Sequence, residues 1–169
     1  MPVVFHISED PTIRRFIPQV PGSNPSHPPA VSAIDAEHAP LYWFPRSCPR
    51  TSVWAHTDAD REALRELFGC EASRICATES RWLAAMRTTV LYRYTFDPAD
   101  FQPSMEGAGQ YVSLRAVEPV AVDPLDDLIG LHVEAGIELR FTPRLGALID
   151  QILASGLPSS FVRLRHALV

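Results

Sequence analysis

The apolar segments of this chain are short, and they do not alternate regularly between strand and helix patterns. Residues 3–8 and 89–96 alternate side chains with the two-residue period of a β-strand. Residues 58–69 instead show the spacing of an amphipathic helix that ends at a glycine. A doubly wound parallel sheet needs a regular strand–helix–strand order, which this chain lacks. The pattern therefore predicts an α+β fold, with a mixed or split, mostly antiparallel sheet and flanking helices.

Proline and glycine mark the boundaries of the other elements. Residues 18–29 contain five prolines and are predicted to form a surface loop, because proline cannot pair inside a central strand. A short helix is predicted over 11–16. Two longer helices are predicted over 123–136 and 142–156, since each begins with a capping residue followed by proline and ends at glycine. The remaining strands are predicted at 30–34, 52–55, 73–78, 111–114, 117–122 and 137–141.

The length of 169 residues is close to the commonest size of one domain, so we expect residues 1–169 to form a single domain. No apolar run approaches the roughly 20 residues of a membrane helix. Residues 1–10 lack the basic segment of a signal peptide, which favours a cytoplasmic location. The three cysteines, Cys48, Cys70 and Cys76, form no metal-binding or disulfide pattern and are expected to be reduced thiols.

All 15 basic residues are arginines, and the net charge is −5. Nucleic-acid binding is not expected, because it requires several cations on one face. Lysine chemistry is excluded, so an anionic ligand must be met by arginine, histidine or backbone N–H groups. The common sequence motifs of hydrolases, NTPases, dehydrogenases and zinc proteases are absent. Asp35 and His38 lie three residues apart, but no second pair completes a metal site, so no metal is expected.

The most unusual stretch is 41–50, which contains three consecutive aromatic residues and two arginines four positions apart. Aromatic faces and guanidinium groups suit a planar anionic ligand such as a nucleotide, so Tyr42, Arg46 and Arg50 are candidate ligand-binding residues. The alternative is that the aromatics anchor the loop in the core and the arginines satisfy loop carbonyls. Cys48 lies beside these arginines, and it is either an activated thiol or a small buried apolar residue.

Two pairs of polar residues interrupt apolar strand patterns. His6 and Ser8 share one face of the first strand, and Tyr111 and Ser113 share one face of a later strand. A buried polar group must be hydrogen-bonded, so His6 is either a satisfied core histidine or a ligand contact at the floor of a cleft. The same two alternatives apply to Tyr111 and Ser113, as outward polar positions of a half-buried strand or as site residues.

The block Leu-Tyr-Trp-Phe-Pro-Arg-x-Cys-Pro-Arg at 41–50 resembles the hallmark of a small bacterial family known chiefly as a domain of unknown function. The similarity runs from Phe-His-Ile-Ser-Glu-Asp at 5–10 through Tyr-Val-Ser at 111–113 to Glu-Leu-Arg at 138–140. This resemblance implies one domain over nearly the whole chain, and it supplies no activity.

The His6–Ser8 and Tyr111–Ser113 pairs also resemble, more distantly, the ADP-ribosyltransferase-like fold. In that fold a histidine of the first strand, followed by serine or threonine, contacts NAD, and a later tyrosine or serine supports the nicotinamide. A glutamate often completes catalysis. The resemblance implies that His6, Tyr111 and Glu118 are the catalytic residues, with Ser8 and Ser113 binding the ligand.

Three functional hypotheses follow. The first is an ADP-ribosyltransferase-like domain that binds a nucleotide such as NAD as its substrate, with Arg46 or Arg50 holding phosphate. The second is a non-catalytic module that binds a small anionic ligand or a protein partner through the loop at 41–50. The first two differ in whether His6 and Tyr111 contact the ligand. The third is a hydrolase or transferase that uses Cys48 or His38, for which the sequence shows no complete set of catalytic residues.

Overall fold

The computed structural model describes residues 2–20, 26, 28–105, 107 and 109–168. The chain divides into two compact units, of which the first contains Met1–Tyr42 and Val90–Leu125 and the second contains Trp43–Thr89 and Asp126–Val169. Neither unit is a continuous stretch of sequence. The prediction of one domain over residues 1–169 stays a prediction.

The described residues contain ten strands and four α-helices. The strands are β1 Val4–Ser8, β2 Val31–Asp35, β3 Arg50–Trp54, β4 Arg74–Glu79, β5 Leu91–Phe96, β6 Gln102–Pro103, β7 Gln110–Ser113, β8 Ala121–Leu125, β9 Glu138–Thr142 and β10 Ser159–Val162. The helices are α1 Asp58–Phe68, α2 Leu83–Thr88, α3 Leu128–Glu134 and α4 Gly146–Ser155. Short 3₁₀-helices occupy Ala39–Tyr42, Ser80–Trp82, Pro98–Asp100 and Leu164–His166.

The first unit is built on a six-stranded antiparallel sheet in the order β6-β7-β2-β1-β5-β8. Apolar side chains of its inner strands form one buried core with three residues from connecting segments, Phe16, Phe101 and Val117. Phe16 and Val117 exchange two backbone hydrogen bonds, which hold Phe16 over this face. The alternation read from residues 3–8 and 89–96 therefore identifies real strands, and one face of each is core.

The helix predicted over 11–16 is wrong. This segment is extended, and its backbone bonds to a tyrosine of β5: the Tyr94 hydroxyl donates to the carbonyl oxygen of Asp10 and accepts from the N–H of Ile13. A lone turn of helix has a costly nucleus, so these tertiary hydrogen bonds and the Phe16 bridge decide its conformation. Half of the predicted loop at 18–29, namely residues 21–25 and 27, lies outside the described residues. A bridge between Gln19 and Ala30 closes the base of the loop.

The second unit contains a four-stranded sheet in the order β10-β3-β4-β9, in which only the β4–β9 pair is parallel. One face of this sheet packs against α1 and α4, through a core that includes Val53, Ile75, Leu64 and Ile152. Helix α1 begins with a capping box formed by Thr57 and Asp60 and ends at a left-handed Gly69, as the amphipathic pattern indicated.

The two helix starts predicted at an acceptor followed by proline are both wrong. Residues 123–124 belong to β8, where Pro124 is tolerated because β8 is an edge strand and proline lacks only an outward-facing donor. Helix α3 starts later, where the Asp127 carboxylate accepts from the N–H of Gly130 at 2.9 Å. Thr142 ends β9, and α4 begins at Gly146.

The predicted fold class is confirmed: the chain is α+β, with two open, mostly antiparallel sheets and flanking helices. None of the helices in the described part of the chain is long and apolar enough to cross a membrane.

Candidate functional site

Strand register brings His6 and Tyr111 to the same face of the first unit's sheet. Strands β1 and β7 pair with opposite edges of β2. Tyr111 pairs with Ala33, and the β1–β2 register that pairs Phe5 with Ile34 continues to place His6 opposite the same alanine. Residues directly opposite one another project to one face, so His6 and Tyr111 lie two strand spacings, about 10 Å, apart on it.

The two candidate serines lie on this face as well, one row further along the sheet. Ser113 pairs with Val31 and lies two residues after Tyr111, and Ser8 lies two residues after His6 in β1, so each serine shares the face of its partner. The Ser113 hydroxyl donates to the carbonyl oxygen of Arg115 at 3.1 Å, and the Ser8 hydroxyl accepts from the N–H of Asp10 at 3.1 Å. Both hydroxyls therefore also stabilise the turns that follow their strands.

The His6 imidazole is half-buried and oriented by two neighbours. Its Nδ1 lies 3.2 Å from the Ser32 carbonyl oxygen, and its ring centroid lies 4.9 Å from that of Phe16. A carbonyl oxygen only accepts, so Nδ1 carries the hydrogen in this contact. Tyr111 is half-buried too, and packs against the edge of the core.

The third residue implied by the transferase resemblance has a different environment. Glu118 is exposed and lies between β7 and β8, outside the strand positions that form this face. It follows Val117, whose backbone is bonded to Phe16. The strand register therefore unites four of the candidate residues, His6, Ser8, Tyr111 and Ser113, but not the acid.

The loop at 41–50 places its two arginines in different surroundings. Arg50 is buried, with 5% of its surface exposed, and its Nη1 donates to the Cys48 carbonyl oxygen at 3.1 Å. Its guanidinium carbon lies 5.5 Å from the centre of the Phe44 ring. These contacts match the alternative in which an arginine satisfies a loop carbonyl. Arg46 is exposed, and Tyr42 is half-buried at the end of a 3₁₀-helix in the first unit.

Cys48 has the environment of a small buried residue. Its side chain is fully buried, and its sulfur lies 3.0 Å from the hydroxyl oxygen of Thr78. Burial raises the pKa of the Cys48 thiol to about 11, an effect that outweighs the hydrogen bond with Thr78 and the nearby charge of Arg50. Burial likewise raises the pKa values of Cys70 and Cys76 to about 11.

We expect all three thiols to resist alkylation in the folded protein. With a pKa raised from 9.0 to about 11, the thiolate fraction at pH 8 falls about 100-fold, before burial further limits access. Iodoacetamide labelling followed by mass spectrometry measures this directly. Labelling of all three thiols in guanidinium chloride is the control, and rapid labelling of Cys48 in the folded protein would contradict the expectation.

Asp35 and His38, which the sequence shows only as two polar residues three positions apart, contact each other in the structure. The Nδ1 atom of His38 lies 2.8 Å from Oδ1 of Asp35, and the same oxygen accepts from the His38 N–H at 2.9 Å. Gly109 lies close against both side chains with a positive φ of 69°. No group of three or more His, Cys, Asp or Glu residues in the described part of the chain is arranged to hold a metal ion.

Comparison with known proteins identifies a family for this chain but no activity. A family model described as a family of unknown function, DUF6886, matches residues 5–167. The chain belongs to this family. No curated protein and no solved structure gives a significant match. The match spans both units, so the DUF6886 sequence pattern covers the sheet face with His6 and Tyr111 as well as the loop at 41–50.

Proposed function

We propose that this DUF6886 protein binds a nucleotide such as NAD at the edge of the apolar core that covers this sheet face of its first unit, with the half-buried His6 and Tyr111 contacting the ligand. Ala33, which lies between them in the sheet, is buried, so the ligand would reach the two side chains from the edge of the core. The observation that carries the proposal is the strand register, which brings these two residues from separate strands to one face. A ligand that touches both must span about 10 Å, which requires more than one ring system, as in a base joined to a ribose.

The chemistry of the two side chains suits such a ligand. The imidazole of His6, which the Ser32 carbonyl oxygen orients through Nδ1, suits hydrogen bonding to a ribose hydroxyl or a carboxamide. The phenol of Tyr111 offers a stacking face and a hydroxyl that both donates and accepts. Both are half-buried, so the proposed contacts would form in a partly desolvated setting where hydrogen bonds discriminate between ligands.

The proposal is limited to binding. Transfer of an ADP-ribosyl group would draw on an acid beside the bound ligand, and the acid implied by resemblance, Glu118, is exposed outside the strand positions of this face. The alternative module based on the loop at 41–50 loses support from Arg50, because that guanidinium bonds to a carbonyl of its own loop.

Thermal stabilisation by NAD, ADP-ribose, ATP and NADP tests the proposal. A ligand at 100 times its Kd stabilises the folded state by about 2.7 kcal/mol, which shifts the melting temperature measurably. We expect a shift with NAD or ADP-ribose, and a loss of at least about tenfold in affinity for His6→Asn and Tyr111→Phe. Asparagine is chosen because its amide nitrogen can replace Nδ1 as the donor to Ser32.

One substitution is the control. His56→Ala removes an exposed histidine from the second unit and should retain nucleotide affinity. The proposal fails if no nucleotide stabilises the wild-type protein, or if His6→Asn and Tyr111→Phe bind as tightly as His56→Ala.

A further inference from the structure

A fully buried carboxylate in the second unit is held by the backbone of a segment near residue 168. Glu79, the last residue of β4, has 0% of its surface exposed. Its Oε2 accepts from Nε of Arg81 at 2.8 Å, and its Oε1 accepts from the N–H of Leu168 at 2.6 Å. The Arg81 guanidinium also donates, through Nη2, to the carbonyl oxygen of His166. One carboxylate–guanidinium pair thus binds a main-chain donor and a main-chain acceptor.

The rest of this segment, residues 163–168, has little apolar anchorage. Arg165, His166 and Leu168 are exposed, and Leu164 is the residue that packs, partly buried, against the core of the second unit. Its only regular structure is the 3₁₀-helix Leu164–His166, which is a single turn. Polar contacts with Glu79 and Arg81 therefore dominate what holds the segment in place.

The segment is joined to β10 through a strained residue. Arg163 has φ 58° and ψ 27°, and among the described residues it is the one non-glycine residue with a positive φ. A side chain with a Cβ disfavours this left-handed region. Strain of this kind persists only where the surrounding contacts impose it, and here the imposing contacts are those of the segment itself. Undocking the segment would release the strain at Arg163.

We propose that residues 163–168 form a releasable strap, hinged at Arg163, that closes over Glu79. Release does not leave an isolated buried charge, because Arg81 remains paired with the carboxylate and is itself 44% exposed. Water then replaces the Leu168 N–H. The open state presents a carboxylate beside a guanidinium, which fits a ligand that offers a hydrogen-bond donor and an acceptor in the spacing of a peptide backbone. The strap therefore controls access to a polar site in the second unit, independent of the nucleotide proposal.

The test removes one hydrogen-bond donor and leaves Leu164, the residue that packs against the core, in place. Leu168→Pro lacks the N–H, and the preceding Ala167 has φ −71° and ψ 153°, which suits a residue before proline. Leu168→Ala keeps the N–H and is the matched control. Carboxyl labelling with a carbodiimide and glycine ethyl ester, followed by mass spectrometry, reports the accessibility of Glu79. Hydrogen exchange at the His166 and Ala167 amides reports strap opening.

We expect Leu168→Pro to increase Glu79 labelling and strap exchange by about tenfold or more, the range expected from losing a hydrogen bond to a charged group, and Leu168→Ala to match the wild type. Arg163→Gly relieves the hinge strain in the closed state and should slow both processes. Iodoacetamide labelling of Cys76, which is fully buried in the second unit, is the internal standard for unfolding of that unit.

Equal labelling of Glu79 in Leu168→Pro and Leu168→Ala would overturn the strap. If Cys76 labelling rises together with that of Glu79, the second unit of the proline variant is unfolded, and Arg163→Gly then decides: slower labelling of Glu79 than in the wild type supports the strap, and unchanged labelling overturns it.

Discussion

Replacing Phe16 with alanine is expected to lower the free energy of unfolding by about 3–5 kcal/mol, the usual cost of truncating a buried phenylalanine. Phe16 lies outside any strand or helix, yet its ring centroid is 5.1 Å from that of Tyr94, 5.0 Å from that of Phe96 and 4.9 Å from that of His6. The substitution leaves a cavity over the first unit's sheet. The melting temperature should fall by about 10 °C, measured by circular dichroism.

The adjacent residue is a matched control. Ile17 is 65% exposed, so Ile17→Ala should change the free energy of unfolding by no more than about 0.5 kcal/mol. Similar stability losses in the two variants would mean that Phe16 does not close the core of the first unit. The helix pattern at 11–16 would then deserve reconsideration, because the aromatic contacts of Phe16 require the extended conformation of that segment.

Gly109→Ala is expected to destabilise the protein by about 3 kcal/mol, from two separate causes. The left-handed backbone at φ 69° costs a residue with a Cβ about 1–2 kcal/mol. The added Cβ would also lie 2.2 Å from Nδ1 of His38 and 2.7 Å from Oδ1 of Asp35. The imidazole must therefore move, which breaks its 2.8 Å contact with Asp35 at a cost of about 1.5–3 kcal/mol. Chemical denaturation measures the sum.

Gly156→Ala separates these two causes. Gly156 has the same φ of 69°, but no atom lies within 4 Å of the position its Cβ would take. This variant should lose only the backbone part, about 1–2 kcal/mol. If both substitutions cost the same, the Asp35–His38 contact contributes nothing to stability. Nuclear magnetic resonance of the His38 ring protons should show a changed environment in Gly109→Ala and an unchanged one in Gly156→Ala.

The sheet face that contains His6 and Tyr111 shows which relations between residues strand periodicity can predict and which it cannot. The two-residue period correctly grouped His6 with Ser8 and Tyr111 with Ser113, because successive side chains of a strand alternate between faces. It could not show that the two pairs share one face. That relation depends on β2 lying between β1 and β7 and on the register of both pairings, which join residues far apart in the sequence.

Predictions from local sequence patterns were wrong where the helical and non-helical conformations of a segment were close in free energy. The acceptor–proline pairs at 123–124 and 142–143 are ordinary helix starts, and a cap contributes about 1 kcal/mol. The pairing of Ala121–Leu125 with β5 stabilised the strand by more than the cap would have stabilised a helix. Because β8 is an edge strand, a proline can be accommodated in it. The same reasoning applies to residues 11–16, where the Tyr94 hydroxyl supplies hydrogen bonds that a short helix would have made internally.

The sequence by itself determined the α+β class, the strong strands such as β1 and β5, and helix α1 with its caps, because periodicity and capping act between residues a few positions apart. Only the tertiary structure decided that Arg50 bonds to its own loop, that the buried Glu79 carboxylate accepts from the N–H of Leu168, and that His6 faces the same side as Tyr111. The physical reason is that burial and strand pairing join distant segments, and their energies exceed the local preferences that a sequence displays.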